Sequence, residues 1–324
     1  MWTNDPTKCG RYLLRSSLAA ALPAEGRVLA RLGWAGETSG HVTHPVRYCP
    51  LAQYKLARVQ PSLRLITLLT DFGDRDWFVA SMKGVILTIN PHATIVDLSH
   101  QITPHRIDEA AYVLKSCYRE FPEGTIHVVV VDPGVGSARR AIAVKSAGYY
   151  FLAPDNGVLS YLFDDEQPVE VREIDQRTFR RASLGHTFDG RDLFAPAAAC
   201  LTIQQPFAYF GQLIDDCNTF RISTPKWDGG ALVGEIVYVD RFGNLISNLT
   251  PHHVKEMREV AKRSNALIAI AGHRIQSLVG NYAEGSTTEP SALINSNGTV
   301  EVFIKEGSAA QRLKAGCGME IILS

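Results

Sequence analysis

The sequence predicts an α/β domain on an N-terminal doubly wound, mainly parallel sheet, followed by a smaller all-β, barrel-like C-terminal domain. Three observations predict it. From about residue 65 to 131, short apolar runs alternate with segments of helical spacing, the order strand, helix, strand, helix, strand. The runs end on polar or Gly/Pro turns, as strands do that open at the carboxyl edge of a sheet. Beyond residue 230 the chain changes to short β-rich runs between turns, the pattern of a small barrel or sandwich. At 324 residues the chain is long enough for two cores. The division reads as a basic extension over 1–62, an α/β domain over 63–222 and a β-rich domain over 223–324.

Residues 1–62 carry eight Lys or Arg against three acids, Asp5, Glu25 and Glu37. Such a composition fits an organelle transit peptide, a disordered extension or sequence upstream of the natural start, with a short helix over 18–31. The expectation is a poorly ordered segment without a catalytic role. Residues 65–69 (LITLL) form the first strand, broken by Thr70, Asp71, Phe72 and Gly73. Residues 77–89 place Trp77, Phe78, Met82, Val85, Ile86 and Ile89 at helical spacing, and Asn90-Pro91 stops them. A strand over 94–98, a helix over 107–121 and a strand over 126–131 follow. Residues 141–145 and 149–153 add strands, and Pro154-Asp155-Asn156-Gly157 repeats the polar turn. Asp189, Arg191 and Asp192 precede an Ala-rich helix over 195–203, and 204–230 reads as a linker. The β-rich runs are 234–239, 246–249, 266–271, 299–304 and 319–323.

Lys plus Arg equals Asp plus Glu at 33 each, so no overall charge draws this protein to nucleic acid or to an anionic membrane. Hydrophobic residues at 45% and charged residues at 20% are those of a soluble globular protein. No apolar run approaches the roughly 18 residues of a membrane helix. Six scattered cysteines without a CxxC pair fit reduced thiols and a cytoplasmic location. The histidines show no ligand spacing, so neither metal nor organic cofactor is expected.

The stretch VVVVDPGVGSARR, residues 128–140, is the strongest candidate for chemistry. Four β-branched residues run into Asp132, Gly134 and Gly136 let backbone amides approach a ligand, and Arg139 lies within reach. Alone, the stretch equally describes a capped turn with a paired Arg. With Asp71 and His100, however, three polar groups converge on one sheet edge.

Six motifs in order then carry a resemblance. TDFG followed by Asp76, MKGVI, VVDPGVG with Arg139, APDNGVLS, TFDGRDLFAPAAA and DRFGNLISN resemble the S-adenosylmethionine hydroxide adenosyltransferases, relatives of the fluorinases and chlorinases. The resemblance runs from about residue 65 to the C-terminus. It implies an α/β domain joined to a β domain in a homotrimer, with S-adenosylmethionine between the first domain of one copy and the second domain of its neighbour. By that resemblance Asp71 grips the ribose diol, suited to a carboxylate that accepts two hydroxyl bonds. Asp76 and Asp240 hold the methionyl ammonium, Phe242 and Asn244 meet adenine, and Ser296 meets the methionine carboxylate. Asn297 stands where the fluorinase pattern has Arg. Each has a plain structural alternative: a helix N-cap for Asp76, and a hairpin turn for the stretch 240–244.

The implied reaction is attack of water at ribose C5′, releasing adenosine and methionine. The sulfonium needs no general acid, so the protein must align and desolvate a small nucleophile. Asp132 and Arg139 match the first two members of the family's Asp, Arg and His set. Asp189 replaces the His, and an unperturbed carboxyl (pKa about 3.9) is a weaker base than imidazole (about 6.5). A working carboxylate pair, a slowed enzyme and a non-catalytic S-adenosylmethionine or adenosine binder all stay open. A halogenase is disfavoured, because DPGVG replaces YPATG, Gly190 replaces Ser and two carboxylates repel a halide.

Overall fold

The six-stranded sheet explains why the first apolar runs read so clearly: its inner strands are covered on both faces, whereas its edge strands are partly exposed. The structure, a computed structural model, describes residues 65–166, 169–183, 185–262 and 266–324. The basic extension, with its expected helix over 18–31, lies outside the described residues. In chain order the elements are β1 (Leu65–Thr70), α1 (Phe78–Ile89), β2 (Thr94–Ser99), α2 (Ile107–Cys117), β3 (Ile126–Val130), β4 (Ala141–Ser146), β5 (Tyr149–Pro154), α3 (Ser160–Asp165), β6 (Val169–Glu173), α4 (Gln176–Phe179) and α5 (Ala195–Thr202). The strand order is β2-β1-β3-β5-β4-β6. β1 runs parallel to β2 and β3, and β3 to β5, whereas β4 is antiparallel to both neighbours.

Alternation along the strands divides the core. Ile66, Leu68, Val128 and Val130 pack against α1 and α5 on one face. Leu69, Val129, Val131 and Phe151 pack against α2 and α3 on the other. The chain leaves β1 for β2 on one side and returns to β3 on the other, so the carboxyl ends of β1 and β3 flank the crevice where such sheets bind ligands. Asp71 and Asp132 follow those two strand ends.

The second sheet is antiparallel and barrel-like. Its elements are β7 (Lys226–Asp228), β8 (Ala231–Val239), β9 (Leu245–Ser247), α6 (Pro251–Ala261), β10 (Ile268–Ile270), β11 (His273–Ile275), β12 (Ser291–Ile294), β13 (Val300–Phe303), α7 (Ala309–Leu313) and β14 (Glu320–Leu323). The strand order is β11-β10-β14-β8-β9-β13-β12, with β7 on β8. Alternate residues, one face of each strand such as Ile268 and Ile270, Val300 and Val302, and Ile321 and Leu323, form one core with residues of α6 and α7. On β8, Tyr238 stacks on Tyr112 of α2 with centroids 4.9 Å apart, which joins the two sheets within the chain.

Two features differ from the sequence reading. Helix α6 was not anticipated; it buries only Val254 and Met257, and a Thr250 and His253 capping box starts it. The Ala-rich helix begins at Ala195 as expected, but an unanticipated π-helical turn, Gly190–Phe194, leads into it. Asp189 and Asp192 therefore sit on or beside a helical turn rather than in a loop. Such π turns are enriched at functional sites. Among the described residues no helix is long and apolar enough to cross a membrane.

Candidate active site

Asp132 leaves β3 with its side chain 4% exposed, and Arg139 closes back on it seven residues later. Two backbone bonds shape the intervening loop, Val135 N–H to Asp132 O (3.2 Å) and Ser137 N–H to Gly134 O (3.1 Å). Gly136 holds φ +81° with the carbonyl oxygen of His186 3.2 Å from where a Cβ would stand, so only glycine fits. Arg139 Nε donates to Asp132 Oδ1 at 3.0 Å, and its Nη2 donates to Asp132 Oδ2. The same Nη2 donates to Asp189 Oδ2 at 2.6 Å. One guanidinium thus joins two carboxylates that the sequence separates by 57 positions. Burial works to lower the pKa of Arg139, but bonds from Asp132 and Asp189 outweigh it and raise it.

Asp189 has a second partner that the sequence reading missed. Arg180, just after α4, donates from Nη1 to Asp189 Oδ1 at 2.7 Å. Its Nε and Nη2 both donate to Gln176 Oε1, at 3.2 and 3.1 Å. In the sequence Arg180 stands in an Arg-rich run that reads as a solvated surface, and only its position nine residues before Asp189 could have singled it out.

A cavity of about 160 Å³ adjoins this cluster, lined by Phe72, Phe78, Val130, Asp132, Val135, Thr187, Phe188, Asp189 and Gly190. Phe188 meets Phe72, Phe78 and Trp77 edge-on at 5.3 to 5.7 Å. Two carboxylates therefore face a small, largely apolar chamber with three Phe rings in its lining, an arrangement that strips a small nucleophile of bulk water. A Cβ on Gly190 would lie 3.1 Å from Met82 Sδ and from Phe188, and 3.3 Å from Phe72.

Asp71 follows the end of β1, the strand paired with β3, and accepts a bond from the His105 amide at 2.9 Å. His100 lies beneath it. Its Nδ1 is 2.8 Å from Thr70 Oγ1, and its carbonyl accepts from Gly73 N–H. Its Nε2 is 3.0 Å from Asp97 Oδ1 but out of line for a hydrogen bond. Asp76 is exposed, and it does not cap α1, whose N-cap is Trp77 without a side-chain bond.

The remaining candidates form a second group around a cavity of about 690 Å³ in the β-rich region, lined in part by Asp240, Phe242, Asn244 and Tyr282. The 240–244 stretch is indeed a tight turn. Asp240 accepts from the amides of Phe242 (2.9 Å) and Asn244 (2.8 Å) and from Asn244 Nδ2 (2.9 Å). Gly243 holds φ +80°, and a Cβ there would fall 2.0 Å from Ser308 Oγ. The turn leaves the Phe242 ring 76% exposed, an aromatic face with nothing on it. Ser296 is exposed in a turn organised by Asn295 Oδ1, which accepts from Asn297 and Thr299. The two cavities share no lining residue. Among the described residues no cluster of three His, Cys, Asp or Glu could hold a metal ion.

A carboxylate and guanidinium cluster beside a dry chamber, at the topological crevice of an α/β sheet, defines an enzyme site for a small substrate. The chain belongs to the S-adenosylmethionine (SAM) hydroxide adenosyltransferase family: the model of its N-terminal domain matches residues 66–211 and that of its C-terminal domain residues 234–322. A Thermus thermophilus protein named (R)-S-adenosyl-L-methionine hydrolase is 33% identical over 270 residues, 81% of this chain and 100% of its own. A Salinispora tropica protein of the same name is 31% identical over 258 residues, 76% and 93%. A fluorinase of Actinoplanes sp. is 30% identical over 212 residues, 57% and 71%. Among solved structures, an uncharacterized conserved protein from Thermotoga maritima superimposes with a TM-score of 0.73 at 31% identity, covering 80% of this chain and 99% of that one.

Proposed function

We propose that this protein hydrolyses S-adenosyl-L-methionine to adenosine and L-methionine by attack of water at ribose C5′. One observation carries the reading: in a member of this family, Arg139 holds Asp132 and Asp189 together beside a small aromatic chamber. The water oxygen bonds to C5′ as the C5′–S pair passes to sulfur, which leaves as a neutral thioether. The water proton goes to a carboxylate of the cluster. The relatives' name specifies the R configuration at sulfur, and the same epimer is the substrate to use here.

In this reading Asp132 and Asp189 accept hydrogen bonds from the water and Arg139 fixes both. Asp71 retains acceptor capacity beyond its His105 bond for the ribose diol. The exposed ring of Phe242 stacks on adenine beside Asn244, Asp240 and Asp76 meet the ammonium, and Ser296 meets the carboxylate. Because the two groups line separate cavities, a second copy of the chain completes each site, in a homotrimer. The domains meet near residue 223, and the scattered thiols suit the cytoplasm. The tight space over Gly190 and the paired carboxylates favour water over halide.

A second reading, binding without turnover, draws on Asp189, whose two oxygens each hold a guanidinium. Incubation with S-adenosylmethionine in halide-free and chloride buffers, with chromatography of the products, decides between them. Adenosine in both buffers supports hydrolysis, bound substrate without product supports the binder, and 5′-chloroadenosine overturns both.

A further inference from the structure

In place of the family's His this chain has an acid, and the structure places a second arginine on it. With an uncharged imidazole at position 189, the Asp132 and Arg139 pair alone would be neutral. An Asp there adds a second carboxylate to the one guanidinium, and the two like charges repel each other. Arg180 supplies the balancing positive charge through its 2.7 Å bond to Asp189 Oδ1. It is itself aimed: Gln176 takes two of its nitrogens, and its side chain is only 16% exposed. Gln176, Arg180, Asp189, Arg139 and Asp132 therefore form one continuous chain of bonds.

We infer that Arg180 is a positioning residue, coupled to the Asp at position 189, that balances the charge of Asp189 and aims it so that a carboxylate does the work of the family's His. The inference rests on the hydrolytic reading above. The charged groups facing Asp189 are Arg139 and Asp132 from the loop after β3 and Arg180 from the end of α4. On its own turn Arg191 is engaged by Asp192, at 2.7 Å, and Arg191 lies over the Phe188 ring at 5.1 Å. Among the described residues Arg180 is thus the group whose removal takes away the positive charge on Asp189 Oδ1 without touching Arg139. Its role is distinct from a fold-holding ion pair because it predicts which residue at position 189 the site can use.

The test is the pH profile of adenosine formation by the full-length parent, Arg180→Gln, Arg180→Lys, Asp189→His and the double variant Arg180→Gln/Asp189→His. The parent should lack an acid limb in the imidazole range near about 6.5. Arg180→Gln should lose at least about tenfold in kcat with KM little changed and move the acid limb upward, and Arg180→Lys should recover part of the loss. Asp189→His alone should fall below the parent, because the imidazole then faces two guanidiniums. The double variant should exceed Asp189→His by about tenfold and gain an acid limb near 6.5. An unchanged profile in Arg180→Gln, or a more active Asp189→His with Arg180 in place, overturns the inference. Should the parent form no adenosine, the hydrolytic reading fails on its own. The coupling is then decided by unfolding measurements on Arg180→Gln, Asp189→Asn and their double variant: additive losses overturn it, non-additive losses support it.

Discussion

Replacing Arg139 by Met keeps most of the side-chain stem and removes its three hydrogen bonds, two to Asp132 and one to Asp189. Asp132 and Asp189 side chains are each 4% exposed, so water cannot freely take over. Asp189 keeps Arg180, and the uncompensated charge falls mainly on Asp132. Breaking one partner out of a buried pair costs about 3–5 kcal/mol. At about 2–4 °C per kcal/mol, the midpoint should fall by roughly 6–20 °C in calorimetry at neutral pH. The loss of a positioned charge at the reacting centre should lower kcat by about 10² to 10³. KM should change far less, because the substrate-holding groups assigned above lie elsewhere. A variant that melts within about 2 °C of the parent and turns over within about threefold of it would refute the reasoning.

Three further outcomes follow from other parts of the molecule. His127 is fully buried among Tyr118, Phe121, Tyr149 and Phe151, and burial pushes its pKa down to about 3. The unfolded chain binds that proton near about 6.5, so stability should be complete above this pH and should fall by a few kcal/mol as the pH drops towards 3. Urea unfolding of His127→Phe should show a flatter dependence over that window, and an equally steep one would count against the assignment. Gly190→Ser should lower the melting point by several degrees, since a Cβ meets Met82, Phe188 and Phe72 at 3.1 to 3.3 Å and overpacking costs about 1–3 kcal/mol; an unshifted melting curve would show that the chamber yields. For the proposed site shared between copies of a trimer, Asp132→Asn and Phe242→Ala should each be impaired, and mixed oligomers assayed well below KM should recover about a quarter of parental activity, the fraction of interfaces with both halves intact. No recovery after verified subunit exchange would place both halves within one copy.

The sheet was legible because its inner strands are buried on both faces: LITLL and VVVV are almost wholly apolar and have no competing helical period. The convergence of Asp71 and Asp132 followed from their places after strand ends. Helix α6 escaped because Val254 and Met257 are its only buried side chains, too few to impose a 3.6-residue period on PHHVKEMREVA. The π turn before the Ala-rich helix escaped because it is a matter of backbone register that composition does not encode. The hairpin reading of 240–244 and its assignment to ligand binding turned out to be compatible, since Asp240 caps the turn while Phe242 stays bare. Arg180 had no signature of its own. It gains meaning only from a tertiary contact with Asp189, whose departure from the family motif was visible but whose compensation was not.

The most direct measurement of the central claim is single-substrate turnover of (R)-S-adenosyl-L-methionine in ¹⁸O-labelled, halide-free water, with mass spectrometry of both products. The account predicts adenosine and methionine in equal amounts, with the heavy oxygen on the adenosine 5′-hydroxyl and none in methionine. Substrate that binds and is recovered intact, or adenosine without the label, would contradict it.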